Sequence, residues 1–331
     1  MGVTLAMSYL LEIEPLGEVM RLILIVLFVC VAAPLSGRAQ ALGTNEAKAV
    51  LVTGASSGIG RKITERLAAD GYFVYATARK EDDLKALGAI KHVHPLRLDV
   101  TEPAEIAAAV DAINKGGRGL YALVNNAGIA TVGTIADTSA EEFDLVMKVN
   151  AYGPVRMIKA FEPLLTAQKG RIINIGSISG ILARPNLAAY SMSKHAIEAL
   201  TDSLAEQLAA SGVQVSVVEP GNYNSNIGKS ALARMGADSK AAISTGYKDK
   251  ADRSMYKEPD EVAVVVERAL SEPAVQRRYM VVPNQDEAEL TIKKQIEQLV
   301  QLNGHQPYSY DRAALVKMLD DALAQVPAKS N

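Results

Sequence analysis

A tyrosine and a lysine stand four residues apart in AAYSMSKHAIEAL, residues 188–200. The stretch has a helical pattern, in which side chains at i and i+4 lie one above the other, so Tyr190 and Lys194 address the same small volume. A phenol has a pKa of about 10, too high for ready proton exchange near neutrality, and a cation within about 4–6 Å favours the phenolate and lowers that pKa. The charge of the lysine would therefore act on the phenol. The alternative is a lysine stem packed along a half-buried tyrosine.

A glycine-rich turn follows the first apolar run. TGASSGIG spans residues 53–60, with glycines at 54, 58 and 60, and leads directly into the helical RKITERLAAD. At a turn from strand to helix, glycines allow a tight bend and let backbone amides approach a pyrophosphate at the positive helix end. The context predicts dinucleotide binding, although such loops also serve as plain turns.

The end of the second strand-like run bears on the choice of dinucleotide. A carboxylate there would bind the adenosine ribose of NAD, whereas YATARK places Ala78 and Arg79 at that edge, with no carboxylate to compete. Because a guanidinium suits the 2'-phosphate of NADP, NADP(H) is favoured and NAD(H) stays possible. The alternative for Arg79 is a solvated surface arginine.

The elements that must position these residues follow from an alternation of apolar runs and helical patterns. Continuous apolar strands separated by helices predict an α/β fold, a single Rossmann-like, doubly wound parallel sheet of about seven strands covered on both faces. The domain is predicted over 44–284, with a polar substrate lid at 222–258. The strand-like runs are 48–53, 72–77, 92–98, 120–125, 171–176, 213–219 and 277–282.

A C-terminal extension, residues 285–331, follows the predicted domain. It contains two amphipathic helical patterns, which are expected to pack against the domain or against a sister subunit, because both polar faces mix charge signs.

Composition excludes several classes of function. Lys plus Arg number 35 against 37 Asp plus Glu among the 331 residues, so no electrostatic field attracts nucleic acid, and a small-molecule substrate is expected. Cys30 is the only cysteine, which excludes an internal disulfide framework and a cysteine-based zinc site. No metal site is expected.

Residues 1–41 differ from the rest of the chain. An apolar run, LILIVLFVCVAA at 22–33, follows a basic residue and precedes the small-x-small sequence AQA that ends at Ala41. This pattern predicts a signal peptide cleaved after Ala41, or an uncleaved anchor, although a membrane span needs roughly 20 apolar residues. The glutamates that precede Met20 are untypical of the N-terminal part of a signal peptide, so Met20 is a candidate for the true first residue of the chain. Export or membrane association is expected, with a cytoplasmic location as the alternative.

Further short motifs occur in order along the chain. They are LDVT at 98–101, NNAG at 125–128, IGSISG at 175–180 and PG at 220–221. Together with the glycine turn, Asn150 and YSMSK, they resemble the classical short-chain dehydrogenase/reductase family over residues 48–282, and within it the hydroxysteroid and retinol dehydrogenases. The resemblance implies an oxidoreductase that interconverts a carbonyl compound, expected to be hydrophobic, and an alcohol by hydride transfer.

The resemblance also implies site residues. Tyr190 would exchange the proton, and Lys194 would also hold the nicotinamide ribose. Ser177 would hydrogen-bond the substrate oxygen, although a turn-capping role is the alternative. Asn150 would help to hold a water that links the lysine to solvent, or would only bend its helix. The implied cofactor-binding set is Gly54, Ser56, Ser57, Gly58, Ile59, Gly60, Arg79, Asp99, Val100, Asn126, Ala127, Gly128, Tyr190, Lys194, Pro220, Gly221 and Ser225.

Some of these positions match the family less fully. Asp99 would meet the adenine amino group, or would cap the following helix instead. Asn126 would meet the adenosine ribose, and the PG motif would pass under the nicotinamide. Ser225 stands where the family often has a threonine, which leaves its contact with the carboxamide open.

Two other functions share parts of this pattern. A nucleotide-binding regulatory protein of the same fold would be free to lose catalytic groups, yet Asn150, Ser177, Tyr190 and Lys194 are all present. An epimerase or dehydratase would use the same Tyr-x-x-x-Lys pair, but the glycine spacing and the short C-terminal part fit such enzymes less well. A homo-oligomer is compatible with the sequence, which names neither the substrate nor the physiological direction.

Overall fold

Strands and helices alternate through the described part of the chain, which is residues 47–236, 239–246, 251–273 and 275–325 of a computed structural model. The predicted signal peptide or anchor lies outside these residues, and so do parts of the predicted lid and of the C-terminal extension.

Seven strands form one parallel sheet. They are β1 (Ala49–Val52), β2 (Phe73–Ala78), β3 (Val93–Arg97), β4 (Ala122–Asn125), β5 (Arg171–Ile175), β6 (Gln214–Pro220) and β7 (Arg278–Val281). Their spatial order is β3-β2-β1-β4-β5-β6-β7, and every neighbouring pair is parallel. The predicted doubly wound sheet is therefore confirmed, and each strand begins and ends within two residues of its predicted bounds.

Helices cover both faces of this sheet. They are α1 (Gly58–Ala69), α2 (Glu81–Gly88), α3 (Pro103–Gly116), α4 (Ala140–Asn150), α5 (Tyr152–Ala167), α6 (Ala188–Leu208), α7 (Ile227–Met235), α8 (Lys240–Ser244), α9 (Asp260–Ser271), α10 (Gln285–Asn303) and α11 (Arg312–Ala324). Helices α1 and α9 bury side chains such as Leu67 and Val266 against one face. Helices α3, α5 and α6 bury Ile113, Phe161 and Leu204 against the other.

The strand order reverses between β1 and β4, and a crevice opens there at the carboxyl ends of the strands. The glycine turn leaves β1 on one side of this crevice, and NNAG leaves β4 on the other. Thr53 joins the two segments, because its hydroxyl oxygen accepts hydrogen bonds from the backbone nitrogens of Asn126 (2.9 Å) and Ala127 (3.0 Å). The sheet topology therefore brings two separate motifs to one place.

The C-terminal helices form where the sequence predicts them but bury little. Thr291 is the one buried residue of α10, and α11 has none among the residues that the structure describes. Ile296 is 54% exposed and Leu302 78% exposed. Within the described chain, α10 contacts the domain near its start, through Glu287 and Thr291, and packing of the rest against the domain or a sister subunit stays a prediction. No helix in the described ranges has the length and apolarity needed to cross a bilayer.

Candidate active site

A cavity of about 290 Å³ lies at the carboxyl ends of the strands. Ser177, Tyr190 and Lys194 lie on its wall, whereas Asn150 does not. Every residue predicted to bind the cofactor also lines it, namely Gly54, Ser56, Ser57, Gly58, Ile59, Gly60, Arg79, Asp99, Val100, Asn126, Ala127, Gly128, Tyr190, Lys194, Pro220, Gly221 and Ser225. Their individual roles remain predictions.

The glycine turn makes a close approach that side chains would block. Gly54 has φ +66°, and a Cβ on it would lie 2.9 Å from the Cα of Ala127. A Cβ on Gly60 would overlap both the Gly54 carbonyl and the Asn126 side chain. At Gly54 and Gly60 the turn therefore presents backbone atoms, and no side chain, to the cavity at the start of α1. Backbone amides at a helix N-terminus fit the pyrophosphate of a dinucleotide, so the turn fits the predicted cofactor.

Two arginines lie side by side at the ends of β2 and β3. Ala78 and Arg97 are partners in the strand register, and Arg97 Nη1 donates a 2.9 Å hydrogen bond to the carbonyl of Arg79. Arg79 Nη1 lies 3.4 Å from Asp99 Oδ2. The expectation that no carboxylate competes at this edge is therefore wrong, because the end of β3 brings Asp99 beside the guanidinium. Arg97 is not among the predicted site residues, because its position depends on the register of the two strands.

Asp99 is already hydrogen-bonded within the protein. Its Oδ1 accepts from the backbone nitrogen of Thr101 at 2.9 Å and from the Thr101 hydroxyl at 2.8 Å. Burial acts to raise the pKa of Asp99, but the bonds from Thr101 and the charge of Arg79 outweigh burial and hold this pKa below its usual value. The alternative prediction that Asp99 caps α3 is wrong, because Glu102 occupies the N-cap position.

Helix α6 places Tyr190 and Lys194 on one face. The Lys194 Nζ lies 5.7 Å from the centroid of the Tyr190 ring and donates a 2.8 Å hydrogen bond to the carbonyl of Ile175. Lys194 is only 6% exposed. Burial lowers the pKa of Lys194 to about 8, and the carboxyl group of Glu198, one turn further along α6, opposes this effect. Lys194 is consequently still largely protonated at neutral pH.

Ser177 follows β5 and faces the same cavity. Its Oγ accepts a 3.1 Å hydrogen bond from the backbone nitrogen of Ser179, so it caps the short 3-10 turn Ile178–Gly180. The same Oγ donates weakly, at 3.5 Å, to the carbonyl of Pro220. Ser177 therefore has the predicted turn-capping contact and also lies on the cavity wall, where the substrate oxygen is expected.

Asn150 ties the chain after β4 to the catalytic helix. Its Oδ1 accepts from the backbone nitrogen of Ile129 and its Nδ2 donates to the Ile129 carbonyl, both at 2.8 Å. The same Nδ2 lies 3.0 Å from Ser193 Oγ. Asn150 ends α4, and the chain turns at Ala151 before α5 begins. The Asn150 side chain therefore contacts both α6 and the loop. Its part in the predicted water link remains a prediction.

The loop after Pro220 is fastened to two distant segments. The backbone nitrogen and the Nδ2 of Asn222 donate to the Glu287 carboxylate at 2.9 and 3.0 Å. Arg253 Nη2 donates to Asn222 Oδ1 at 2.6 Å. Arg253 also lines the cavity, and no carboxylate in the described ranges forms an ion pair with it. Glu287 and Arg253 are not among the predicted site residues, since no local pattern links them to the PG motif.

The predicted lid contains two short helices, α7 and α8, that are held against the chain after β4. Arg234 of α7 pairs with Glu142 at 3.0 Å and donates to the carbonyl of Ala130 at 2.6 Å. Lys240 of α8 lies 2.9 Å from Asp137. Burial acts to raise the pKa of Glu142, but Arg234 outweighs it and holds this pKa below its usual value. The charge of Arg234 is therefore balanced within the protein.

Comparisons with known proteins agree with this geometry. A family model described as short chain dehydrogenase matches residues 48–236. The chain is 39% identical over 186 residues to the mitochondrial D-beta-hydroxybutyrate dehydrogenase of Mus musculus, which covers 53% of this chain and 54% of that protein. It is also 39% identical over 186 residues to an NADPH-dependent 3-dehydrocapnine reductase of Ornithobacterium rhinotracheale, covering 54% of this chain and 66% of that one. The chain spans about half the length of the first curated relatives it matches.

A solved structure shares the fold. A metagenomic short-chain oxidoreductase in complex with NADP superposes with a TM-score of 0.58 at 29% identity, covering 72% of this chain and 97% of that one. The family model alone spans more than half of the chain. The resemblance carried by the motifs is thus confirmed, and the chain belongs to the short-chain dehydrogenase/reductase family.

Proposed function

We propose that this protein is an NADP(H)-dependent oxidoreductase that interconverts a carbonyl compound and an alcohol by hydride transfer. The proposal is carried by one observation, the convergence of Ser177, Tyr190 and Lys194 with the glycine turn on the wall of one cavity. When bound, the nicotinamide supplies or accepts the hydride.

The side chains would handle the charge and the proton. Reduction of a carbonyl leaves negative charge on its oxygen, and preorganised hydrogen-bond donors stabilise that charge. The Ser177 hydroxyl and the Tyr190 phenol would donate to this oxygen, and Tyr190 would then transfer its proton to it. The positive charge of Lys194 favours the phenolate that remains. In the direction of alcohol oxidation the phenolate would act as the base.

The preference for NADP(H) is supported by the charge at the ends of β2 and β3. Arg79 lines the cavity, and Arg97 hydrogen-bonds to its carbonyl. A guanidinium recognises a phosphate through paired hydrogen bonds, and the Arg79 pair with Asp99 is long, at 3.4 Å, with the Arg79 side chain 67% exposed. A 2'-phosphate could therefore replace Asp99 as the partner of Arg79. One similar protein is described as NADPH-dependent.

The experiment is a turnover screen with the full chain. Loss of NADPH absorbance would be followed with acetoacetate, a ketosteroid and retinal as probes, and each assay would be repeated with NADH. We expect turnover of at least one carbonyl compound, faster with NADPH. Tight nucleotide binding without turnover of any probe would favour the nucleotide-binding regulatory protein instead.

We further propose that residues 22–33 direct the chain to a membrane or to export. The support is the apolar run itself, which lies outside the described residues. Fractionation of cells that express the full chain, beside cells that express residues 42–331, tests this proposal. Equal recovery of both chains in the cytoplasmic fraction would contradict it.

A further inference from the structure

Two carboxyl groups that each have a buried oxygen atom lie behind the tyrosine–lysine pair. Glu198 is one turn beyond Lys194 on α6, and Glu219 is the β6 residue next to Pro220. Glu219 is only 2% exposed. The Oε1 atom of each carboxyl group is buried, and neither atom has a hydrogen-bond partner among the residues that the structure describes. Neither group has a role in the mechanism proposed above.

Glu198 packs against the backbone on both sides of Ser177. A Cβ on Gly176 would lie 3.0 Å from Glu198 Oε1, and a Cβ on Gly180 would lie 2.9 Å from the same atom. Because these two glycines have no side chain, the carboxyl group of Glu198 fits between them. Glu198 is thus in contact with the segment that carries Ser177, while Glu219 adjoins the PG motif on the cavity wall.

Few charges face this pair. On α6 they are Lys194 and Asp202, and on β7 it is Arg278. Arg278 Nε lies 3.2 Å from Glu198 Oε2, while its Nη2 lies 2.7 Å from Asp202 Oδ2. Arg277 also pairs with Asp202, at 3.4 Å. Because Arg278 is shared between two acids, it does not neutralise Glu198 and Glu219 together.

One proton would satisfy both carboxyl groups. Ionised carboxylates only accept hydrogen bonds, so two facing carboxylates repel each other and leave both Oε1 atoms unsatisfied. A proton on one of them supplies the missing donor. In agreement, burial and the neighbouring Glu198 raise the pKa of Glu219 to about 8, and burial also raises the pKa of Glu198.

We propose that Glu198 and Glu219 share one proton at neutral pH, and that the single negative charge left on the pair keeps Lys194 protonated beside Tyr190. The two glutamates are positioning residues, because they act through Lys194 and do not touch the reacting atoms. The role of Lys194 rests on the proposed function, but the charge state of the pair does not. Burial works against the charge on Lys194, and Glu198 opposes that effect.

The charge of Lys194 at neutral pH tests the proposal without turnover. The full chain would carry 13C at the lysine ε-carbons, and loss of one signal in Lys194→Met would assign the resonance. In Glu198→Gln or Glu219→Gln the amide supplies the shared hydrogen bond and the remaining carboxyl group ionises, so the charge is kept. At pH 7, below the pH of about 8 at which the pair itself loses its proton, we expect the Lys194 signal to keep its wild-type shift in each single variant and to move toward the shift of a neutral amine in the double variant.

Glu206→Gln is the matched control, because Glu206 is exposed on the same helix and its loss leaves the pair intact. At pH 7, a signal that moves toward the neutral amine in each single variant shows that the wild-type pair carries two charges, which overturns the shared proton. An unchanged signal in the double variant overturns the effect on Lys194.

Infrared spectroscopy supplies a second readout if the double variant does not fold. We expect the wild-type protein to show the carbonyl stretch of a protonated carboxyl group at neutral pH, and each single variant to lose it. A wild-type spectrum without that band contradicts the shared proton. Both readouts are independent of catalysis, so a failure of the proposed function would be seen separately, as absence of turnover.

Discussion

At the scale of single residues, the chemistry depends on a charge kept in a buried place. Lys194 is 6% exposed, and its ammonium group donates to the carbonyl of Ile175. One such bond replaces only part of the hydration that the ammonium group has in water, which is why burial lowers the pKa of Lys194 to about 8. Above that pH the lysine loses the charge that favours the Tyr190 phenolate.

The proton donor can be tested by removing one oxygen. Tyr190→Phe keeps the ring and deletes the hydroxyl, so we expect turnover to fall by about 10²- to 10⁴-fold while NADPH affinity stays nearly unchanged. Steady-state rates and a fluorescence titration with NADPH measure the two quantities. Tyr152→Phe is the control, because Tyr152 is 57% exposed. Residual turnover near the wild-type rate would contradict the assignment of Tyr190.

The dinucleotide preference can be tested at Arg79. Arg79→Ala removes a guanidinium that hydrogen-bonds to a charged group, an interaction of about 1.5–3 kcal/mol, so we expect NADPH to bind about 10- to 100-fold more weakly. NADH, which lacks the 2'-phosphate, should bind as before. Lys85→Ala, an exposed change on α2, is the control in the same titrations. An equal loss of affinity for both nucleotides would show that Arg79 does not distinguish them.

At the scale of elements, the site depends on how closely the glycine turn approaches the chain after β4. Gly54 and Gly71 both have φ in the left-handed region, at +66° and +89°. A Cβ added to Gly71 would meet no atom of a non-adjacent described residue within 4 Å, whereas a Cβ added to Gly54 would meet Ala127. Substitutions at these two glycines therefore distinguish the effect of backbone strain from the effect of a close contact with Ala127.

Alanine substitutions at these two glycines form a matched pair. Gly71→Ala should cost only the backbone strain, about 1–2 kcal/mol, and should leave NADPH affinity unchanged. Gly54→Ala adds a clash with Ala127, so we expect a larger loss of stability together with weaker NADPH binding. Urea unfolding and nucleotide titration measure both effects. Equal stability and equal affinity in the two variants would contradict the role of the close approach.

Helix α10 contributes to the site through one residue near its start. Glu287 accepts two hydrogen bonds from Asn222, beside the PG motif. Glu287→Ala frees that loop, and we expect NADPH affinity or turnover to fall by about tenfold, since hydrogen bonds to charged groups contribute about 1.5–3 kcal/mol. Glu289→Ala, which removes an exposed carboxylate of the same helix, is the control. If both variants behave alike, the loop does not depend on this contact.

At the scale of the whole molecule, two buried groups make stability depend on pH in opposite directions. The folded protein holds a proton on Glu219 up to pH about 8, against an ordinary pKa of 4.5, so stability falls as pH rises from 4.5 to about 8. Lys194 titrates at about 8 when folded, against 10.5 ordinarily, so the unfolded chain binds more protons above pH 8 and stability rises again.

These two contributions predict a minimum of stability near pH 8. Urea unfolding between about pH 6 and 10 would measure it. Glu219→Gln should flatten the falling arm, and Lys194→Met should flatten the rising arm. Glu206→Gln, an exposed change, should leave both arms as they are. A profile without a minimum, unaffected by either substitution, would show that neither group is perturbed in the fold.

The sequence by itself determined the sheet and most of the cavity wall. Alternation of apolar runs and helical patterns located seven strands, because burial on both faces of a parallel sheet requires continuous apolar strands. The glycine spacing and the Tyr-x-x-x-Lys spacing located the turn and the pair on α6, because both are set by contacts between residues close in the chain.

The tertiary structure alone decided which distant groups meet. Asn222 joins Glu287 and Arg253, which are 65 and 31 residues away, and Arg234 joins Glu142 across 92 residues. Glu219 meets Glu198 because β6 lies beside β5 and under α6. Such contacts depend on strand order and on the path of the loops, which local periodicity does not encode. That is why the catalytic pair could be read from the sequence, while the carboxyl groups behind it could not.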